Sequence, residues 1–119
     1  MQPRVSIISI LGRTDDAREL LESLRGLTYG NVEVLLIDNR LSENGGAIFE
    51  NFLRTKAPFL VRYIQNNQNL GFAGGNNIGL RKILGEGTDY ALLLNDDTII
   101  EPSFLSKLVE AAKRDPRIG

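Results

Sequence analysis

Apolar residues gather into short continuous runs separated by amphipathic stretches, and that rhythm sets the expected fold. Val5 to Leu11 is a β-branched, nearly unbroken apolar run, the pattern of a strand buried on both faces. Gly12 interrupts it. Thr14 with Asp15 and Asp16 then supplies an N-cap and an acidic first turn, which complement the unpaired amides and positive end of a helix. Ala17, Leu20, Leu21 and Leu24 recur at helical spacing, with Arg18, Glu19, Glu22 and Arg25 on the other face. A second strand, Val32 to Ile37, runs into Asp38 and Asn39. Beyond the polar loop Arg40 to Gly46, Ile48, Phe49, Phe52 and Leu53 predict a helix over 47–55, ended by Pro58. Phe59 to Ile64 predicts a third strand.

From Asn66 to Leu80 the chain carries Gly71, Gly74, Gly75 and Gly79 among several asparagines. This predicts a glycine-rich loop that turns helical through Ile78, Leu80 and Ile83 and stops at Gly85 and Gly87. Tyr90 to Leu94 predicts a fourth strand, again buried on both faces, that drives into Asn95-Asp96-Asp97-Thr98. Pro102 suits the first position of a last helix. Its buried stripe is Phe104, Leu105, Leu108, Val109 and Ala112, and Asp115 and Pro116 end it. The order is β-α-β-α-β-α-β-α, which predicts an α/β fold with a parallel sheet, right-handed crossovers and helices on both faces.

Composition narrows the chemistry. With 119 residues there is one domain's worth of chain. Zero histidines and zero cysteines exclude disulfides, the usual zinc sites, His-based triads and thiol nucleophiles, so proton transfer falls to carboxylates, Lys or Tyr. A net charge of −1, from 14 basic and 15 acidic residues, leaves no electrostatic footprint for nucleic acid. No apolar run approaches the ~20 residues of a membrane span. No signal-peptide pattern opens the chain, so a cytoplasmic protein is expected.

Three features fall at the C-terminal ends of the predicted parallel strands: Asp38 with Asn39, the Asn/Gly segment, and Asn95 to Asp97. Each has a plain structural alternative. Asn and Asp are ordinary turn residues, and glycines also permit tight strand–helix packing. Their coincidence at the edge where open α/β sheets bind ligands favours a site. A strand period of two places Asn95 and Asp97 on one side and Asp96 on the other. That suits a hard cation at Asp97, supported by Asn95, with Asp96 on a sugar hydroxyl or capping the next segment. One or two carboxylates completed by phosphate and water is the usual Mg²⁺ arrangement, and its chemistry is stabilisation of a departing diphosphate. The segment is neither a P-loop nor a Rossmann fingerprint, because both Gly-Lys-Ser/Thr and Gly-x-Gly-x-x-Gly are missing.

Val5-Ser6-Ile7-Ile8, Leu36-Ile37-Asp38-Asn39, Asn69-Leu70-Gly71-Phe72-Ala73-Gly74-Gly75-Asn76-Asn77-Ile78-Gly79 and Leu93-Leu94-Asn95-Asp96-Asp97-Thr98 together resemble the family 2 glycosyltransferases, most closely the rhamnosyltransferase-like branch. The resemblance spans essentially the whole chain. It implies a GT-A, Rossmann-like nucleotide-diphospho-sugar transferase fold and transfer of a sugar from a UDP-, GDP- or dTDP-sugar to a glycan or lipid-linked acceptor. By motif, Asp38 with Asn39 meets the nucleotide base. Asn69, Gly71, Gly74, Gly75 and Asn76 lie along the nucleotide. Asn95-Asp96-Asp97 stands where the family has Asp-x-Asp, whose last acid binds Mn²⁺ or Mg²⁺. The first acid of that motif is Asn95 here, so the metal falls to Asp97. The first strand ends Ser9-Ile10-Leu11-Gly12-Arg13 in place of the family's Pro-x-Tyr/Phe-Asn, which leaves that nucleotide contact to Leu11.

The resemblance also implies that residues 1–119 are the N-terminal donor-binding part of a domain continuing beyond Gly119. The acceptor half and the catalytic base would lie downstream, with the full-length protein at the inner face of the plasma membrane. Such a piece carries an unpaired sheet edge that could drive homodimerisation. Two other readings stand beside this one: a non-catalytic nucleotide-binding α/β module, and a sugar nucleotidyltransferase. The second lacks the expected Gly-rich, Arg/Lys-bearing loop after the first strand.

Overall fold

Four of the apolar runs pair as strands: β1 (Val5–Ile10), β2 (Val32–Asp38), β3 (Leu60–Gln65) and β4 (Tyr90–Leu93). They form one sheet in the order β3-β2-β1-β4, and every pairing is parallel. The structure is a computed structural model that describes residues 2–12, 14–39, 59–66, 71–95 and 97–115. The helix expected over 47–55 and the stops at Pro58 and Pro116 lie outside these residues.

Helices cover both faces. Helix α1 (Thr14–Leu24) and helix α3 (Phe104–Arg114) share one face. There Leu20, Leu21, Leu24, Leu105 and Val109 bury against Val5, Ile7, Val34 and Leu36. Helix α2 (Gly71–Ile83) takes the opposite face, where Ile83 joins Ile8, Leu35 and Ile37. Successive strand residues feed the two cores alternately, as the pleat requires. All seven residues of β2 are buried, as expected for a strand covered on both faces. No helix among the described residues is long and apolar enough to cross a membrane.

Three expectations change. The strand Tyr90–Leu93 is not buried on both faces: Ala91 is exposed and Leu93 is 45% exposed. It is the edge of the described sheet, and α2 lies over β1 and β2 instead. Its other side, Tyr90 and Leu92, packs into the α1–α3 core. Second, Pro102 does not open the last helix. Its carbonyl accepts bonds from the Thr28 amide at 3.0 Å and the Thr28 hydroxyl at 3.1 Å, which fasten it to the loop after α1. The helix starts two residues later, at Phe104, behind Ser103.

Third, the Asn/Gly segment is helical from Gly71, seven residues earlier than Ile78. Gly71 itself takes φ +71°, a left-handed value that disfavours any side chain. Gly75 and Gly79 face the sheet. A Cβ at Gly75 would stand 2.6 Å from Ile10 Cδ1, and one at Gly79 would stand 2.7 Å from Ile8 Cγ2. The glycines let helix and strand approach more closely than any side chain allows. Beyond the helix, Gly85 and Gly87 adopt positive φ and turn the chain back toward β4, as expected.

A polar lock closes the opposite end of the sheet. Glu33 on β2 is only 2% exposed. Arg4 donates to one of its oxygens at 2.9 Å, and Arg62 on β3 and the Ser6 hydroxyl on β1 donate to the other at 3.2 and 2.7 Å. Arg62 also reaches Glu86, beyond α2, at 2.8 and 3.3 Å. A buried carboxylate is tolerated when paired and hydrogen-bonded in this way, and removing one partner is costly.

Two measurements follow from these contacts. Gly79→Ala should lower the urea-unfolding free energy by about 1–3 kcal/mol through overpacking, even though alanine gains about 1 kcal/mol in helix propensity; a net gain would mean that the helix does not dock on Ile8. The Arg62 hydrogen bond holds the Glu86 carboxyl below its ordinary value. The pairing is therefore intact above the ordinary glutamate pKa and is lost as pH falls through the lowered one. In Arg62→Gln, the Glu86 midpoint read by carboxyl NMR should rise back toward the ordinary value.

Candidate functional site

Because all four strands are parallel, their C-terminal ends share one edge. The strand order reverses at β1, with β2 and β3 on one side of it and β4 on the other. This puts a topological switch point between β1 and β4, where open α/β sheets form their ligand crevice. Asp38 ends β2 and Leu11, Asn39, Asn95 and Asp97 follow strand ends on this edge, and Gly71 to Asn76 begin the helix that descends from it. Asn69 and Asp96 lie outside the described residues.

The Asp38 side of the edge is tightly organised. Asp38 is fully buried, on the same side of β2 as Val34 and Leu36 and hence facing the α1 core. The Tyr63 hydroxyl donates to its Oδ2 at 2.5 Å. Tyr63 lies opposite Leu36 in the β2–β3 register, one step along the same face, within reach of a long side chain. A short O–H···O⁻ bond is among the stronger ones a buried carboxylate can accept. Asn39 points the other way. It is 6% exposed, its Nδ2 donates to the Gly71 carbonyl at 3.0 Å, and its Oδ1 accepts from Asn66 Nδ2. The Asn66 amide in turn donates to the Asp38 carbonyl at 2.9 Å. Asn39 thus clamps the first residue of α2 against the end of β2, and a Cβ on Gly75 would strike its Nδ2 at 2.8 Å.

Other expected residues divide by burial. Leu11 is 3% exposed and belongs to the apolar core with Leu20 and Leu36, so its side chain packs inward. Gly74 is half-buried. Asn76 is 4% exposed, and its Nδ2 has no hydrogen-bond partner. Ser9, on the Asp38 side of β1, is fully buried with its hydroxyl unpartnered. Leaving a buried donor unmade costs about 1–3 kcal/mol, so both are groups that a ligand or water would satisfy.

Past β4 the edge is open. The Leu94 amide still donates to the Ile8 carbonyl at 2.9 Å, and then pairing ends. The alternation expected for Asn95 and Asp97 is not imposed by strand geometry, since β4 stops at Leu93. Both residues are exposed, with Asp97 in a turn. Among the described residues no three acidic, His or Cys side chains converge on a point. Asp97 and Asn95 are oxygen donors suited to a hard cation whose other positions come from phosphate and water.

Sequence reasoning missed Tyr63 and Ser9 and read Asn66 only as part of the loop. The signal for Tyr63 was present: a tyrosine near the end of the strand beside one that ends in Asp. Since Asn39 joins β2 to α2, Asn39→Ala should speed amide exchange in the first turn of α2 by about tenfold while leaving β1 and β2 amides protected. Unchanged exchange there would refute the clamp.

Residues 6–119 match the sequence profile of "Glycosyl transferase family 2". An uncharacterized glycosyltransferase of Haemophilus influenzae is 30% identical over 113 residues, which cover 95% of this chain and 35% of that protein. The poly-beta-1,6-N-acetyl-D-glucosamine synthase of Staphylococcus epidermidis is 23% identical, across 95% of this chain and 26% of its own. Among solved structures, the mannosyltransferase PcManGT from Pyrobaculum calidifontis, in complex with GDP-Man and Mn²⁺, superposes with TM-score 0.85 at 18% identity. That superposition covers 100% of this chain and 34% of the other. TarS 1-349 of S. aureus in complex with UDP-GlcNAc gives TM-score 0.76 at 19% identity, covering 93% and 31%. The fold is the GT-A α/β fold, and the chain spans about a third or less of these relatives. With the profile covering nearly its full length, the chain belongs to glycosyl transferase family 2.

Proposed function

We propose that the chain is the donor-binding part of an inverting glycosyltransferase. It would move a sugar from a nucleotide diphosphate donor to a glycan or lipid-linked acceptor in polysaccharide synthesis, within the rhamnosyltransferase-like branch. The observation that carries this is the gathering of Asp38, the start of α2 and Asn95 with Asp97 on one sheet edge at the switch point, in a chain of this family. Asp38 takes the base, the α2 start and Asn76 lie along the donor, and Asp97 takes the metal, with Asn95 and Asp96 beside it. Asn39 serves the same site by holding α2.

Mn²⁺ or Mg²⁺ bound at Asp97 would neutralise charge on the departing diphosphate. Relatives bound to GDP-Man with Mn²⁺ and to UDP-GlcNAc support a nucleotide sugar as ligand. The base that deprotonates the acceptor lies outside residues 1–119, in a domain that continues past them, and the full-length protein works at the inner face of the membrane. In the 119-residue chain the outer edge of β4, bordered by Leu93 and Leu108, is where two copies would pair.

Calorimetry with UDP, GDP and dTDP, with and without Mn²⁺, tests the donor site. Metal-dependent binding should fall at least about tenfold in Asp97→Ala, and the 119-residue chain should transfer no sugar to glycan acceptors. Binding indifferent to metal and to Asp97→Ala would favour a plain nucleotide-binding module, and robust transfer would place the base inside the chain.

A further inference from the structure

We propose that Ser23 of α1 is a positioning residue for the metal: its hydroxyl pins the backbone at Ile100 and so holds Asp97 where a divalent cation meets the donor's diphosphate. The inference rests on the reading that Asp97 takes the metal. It goes further by assigning the hold on that acid to a side chain near the far end of α1, away from the ligand edge.

Asp97 needs such a hold. It is exposed, lies in a turn, and follows the last strand bond of β4 instead of sitting within the sheet. A carboxylate on a free segment has to be ordered each time a cation binds, and that entropy subtracts from affinity. The fold limits the loss by fastening both ends of the segment. Upstream, the Leu94 amide donates to the Ile8 carbonyl on β1 at 2.9 Å. Downstream, the Ile100 amide donates to Ser23 Oγ at 3.2 Å. Asp97 stands three residues from each anchor. The Leu94 and Ile100 side chains both pack into the α1–α3 core, where they line one apolar gap with Ile7 and Leu24.

The Ser23 hydroxyl is itself oriented for the task. It donates to the Leu20 carbonyl, one turn back, at 2.8 Å, which fixes its proton and leaves its lone pairs for the Ile100 amide. Without that oxygen, the amide of a residue only 6% exposed loses its acceptor, a costly state for a backbone donor. Among the described residues, the next backbone fastening to another element is at Pro102, whose carbonyl accepts from both the amide and the hydroxyl of Thr28. Loss of the Ser23 bond therefore lengthens the tether of Asp97 from three residues to five. The buried Ile100 side chain remains, so the tether loosens without coming away.

Calorimetry on the 119-residue chain reads this hold as a metal coupling, the ratio of UDP affinity in Mn²⁺ to that in EDTA, with GDP and dTDP run in parallel. In Ser23→Ala the coupling should fall about three- to tenfold, while affinity in EDTA stays within about twofold of wild type. Ser23→Thr keeps a hydroxyl that can make the same bonds and should retain the coupling. Thr28→Val leaves the Thr28 amide on Pro102 and should not change it. A residue that merely supports the fold would weaken binding with and without metal alike. The proposal is overturned if a folded Ser23→Ala keeps the wild-type coupling, or if Ser23→Thr loses as much of it as Ser23→Ala does. Where Ser23→Ala does not fold, Ser23→Cys, a weak acceptor of similar size, takes its place and the same outcomes decide. If wild type shows no coupling, or Asp97→Ala retains it, the metal reading falls and the role of Ser23 with it. Coupling lost in Asp97→Ala but kept in Ser23→Ala removes only Ser23.

Discussion

Two missing side chains govern how this molecule is put together. At Gly75 and Gly79 there is no room for even a Cβ against Ile10 and Ile8, so α2 lies directly on β1. Close-packed interiors do not absorb such crowding by small adjustments. The docking depth of α2 therefore fixes where its first residue, Gly71, meets the end of β2. Asn39 can bridge the two only because the helix has come that close. The glycines that look like a flexible loop in the sequence are part of a rigid joint.

That joint divides the C-terminal edge of the sheet into two unlike halves. On the β2–β3 side, polar groups are buried and mostly committed to one another: Asp38 to Tyr63, and Asn39 to Gly71 and Asn66. On the β4 side, Asn95 and Asp97 stand in solvent past the last strand bond. A preorganised half suits recognition of a planar base, where fixed donors and acceptors discriminate. An exposed half suits a cation and phosphates, which carry their own charge and bring water with them.

How much of this was legible follows from how local each signal is. The strands Val5–Ile10 and Val32–Asp38 came from unbroken β-branched and leucine-rich runs, and the helix at 14–24 from its caps and periodicity, because those patterns reside within the segments. The true extent of α2 was not legible. Glycine and asparagine argue against helix on propensity, and only packing against Ile8 and Ile10 reverses that. Burial of β4 on both faces was overestimated for a related reason: an apolar run records what a strand can bury, not which neighbours arrive. That Asp38 closes one strand and that Asn95 and Asp97 follow another was legible from the strand ends alone, while the bond from Tyr63 to Asp38 needed the β2–β3 register as well. Asp38 and Asp97 share the C-terminal edge of the sheet, in very different surroundings.

The Glu33 lock has a consequence for how such a protein changes over generations. Arg4, Ser6, Arg62 and Glu86 fasten three strands and the exit of α2 at the end of the sheet away from the ligand edge. Strand alignment is thus secured without help from the loops at the other end of the sheet. Those loops can change in length and composition without loss of register. Relatives at 23–30% identity show how far sequences that still match this chain have diverged.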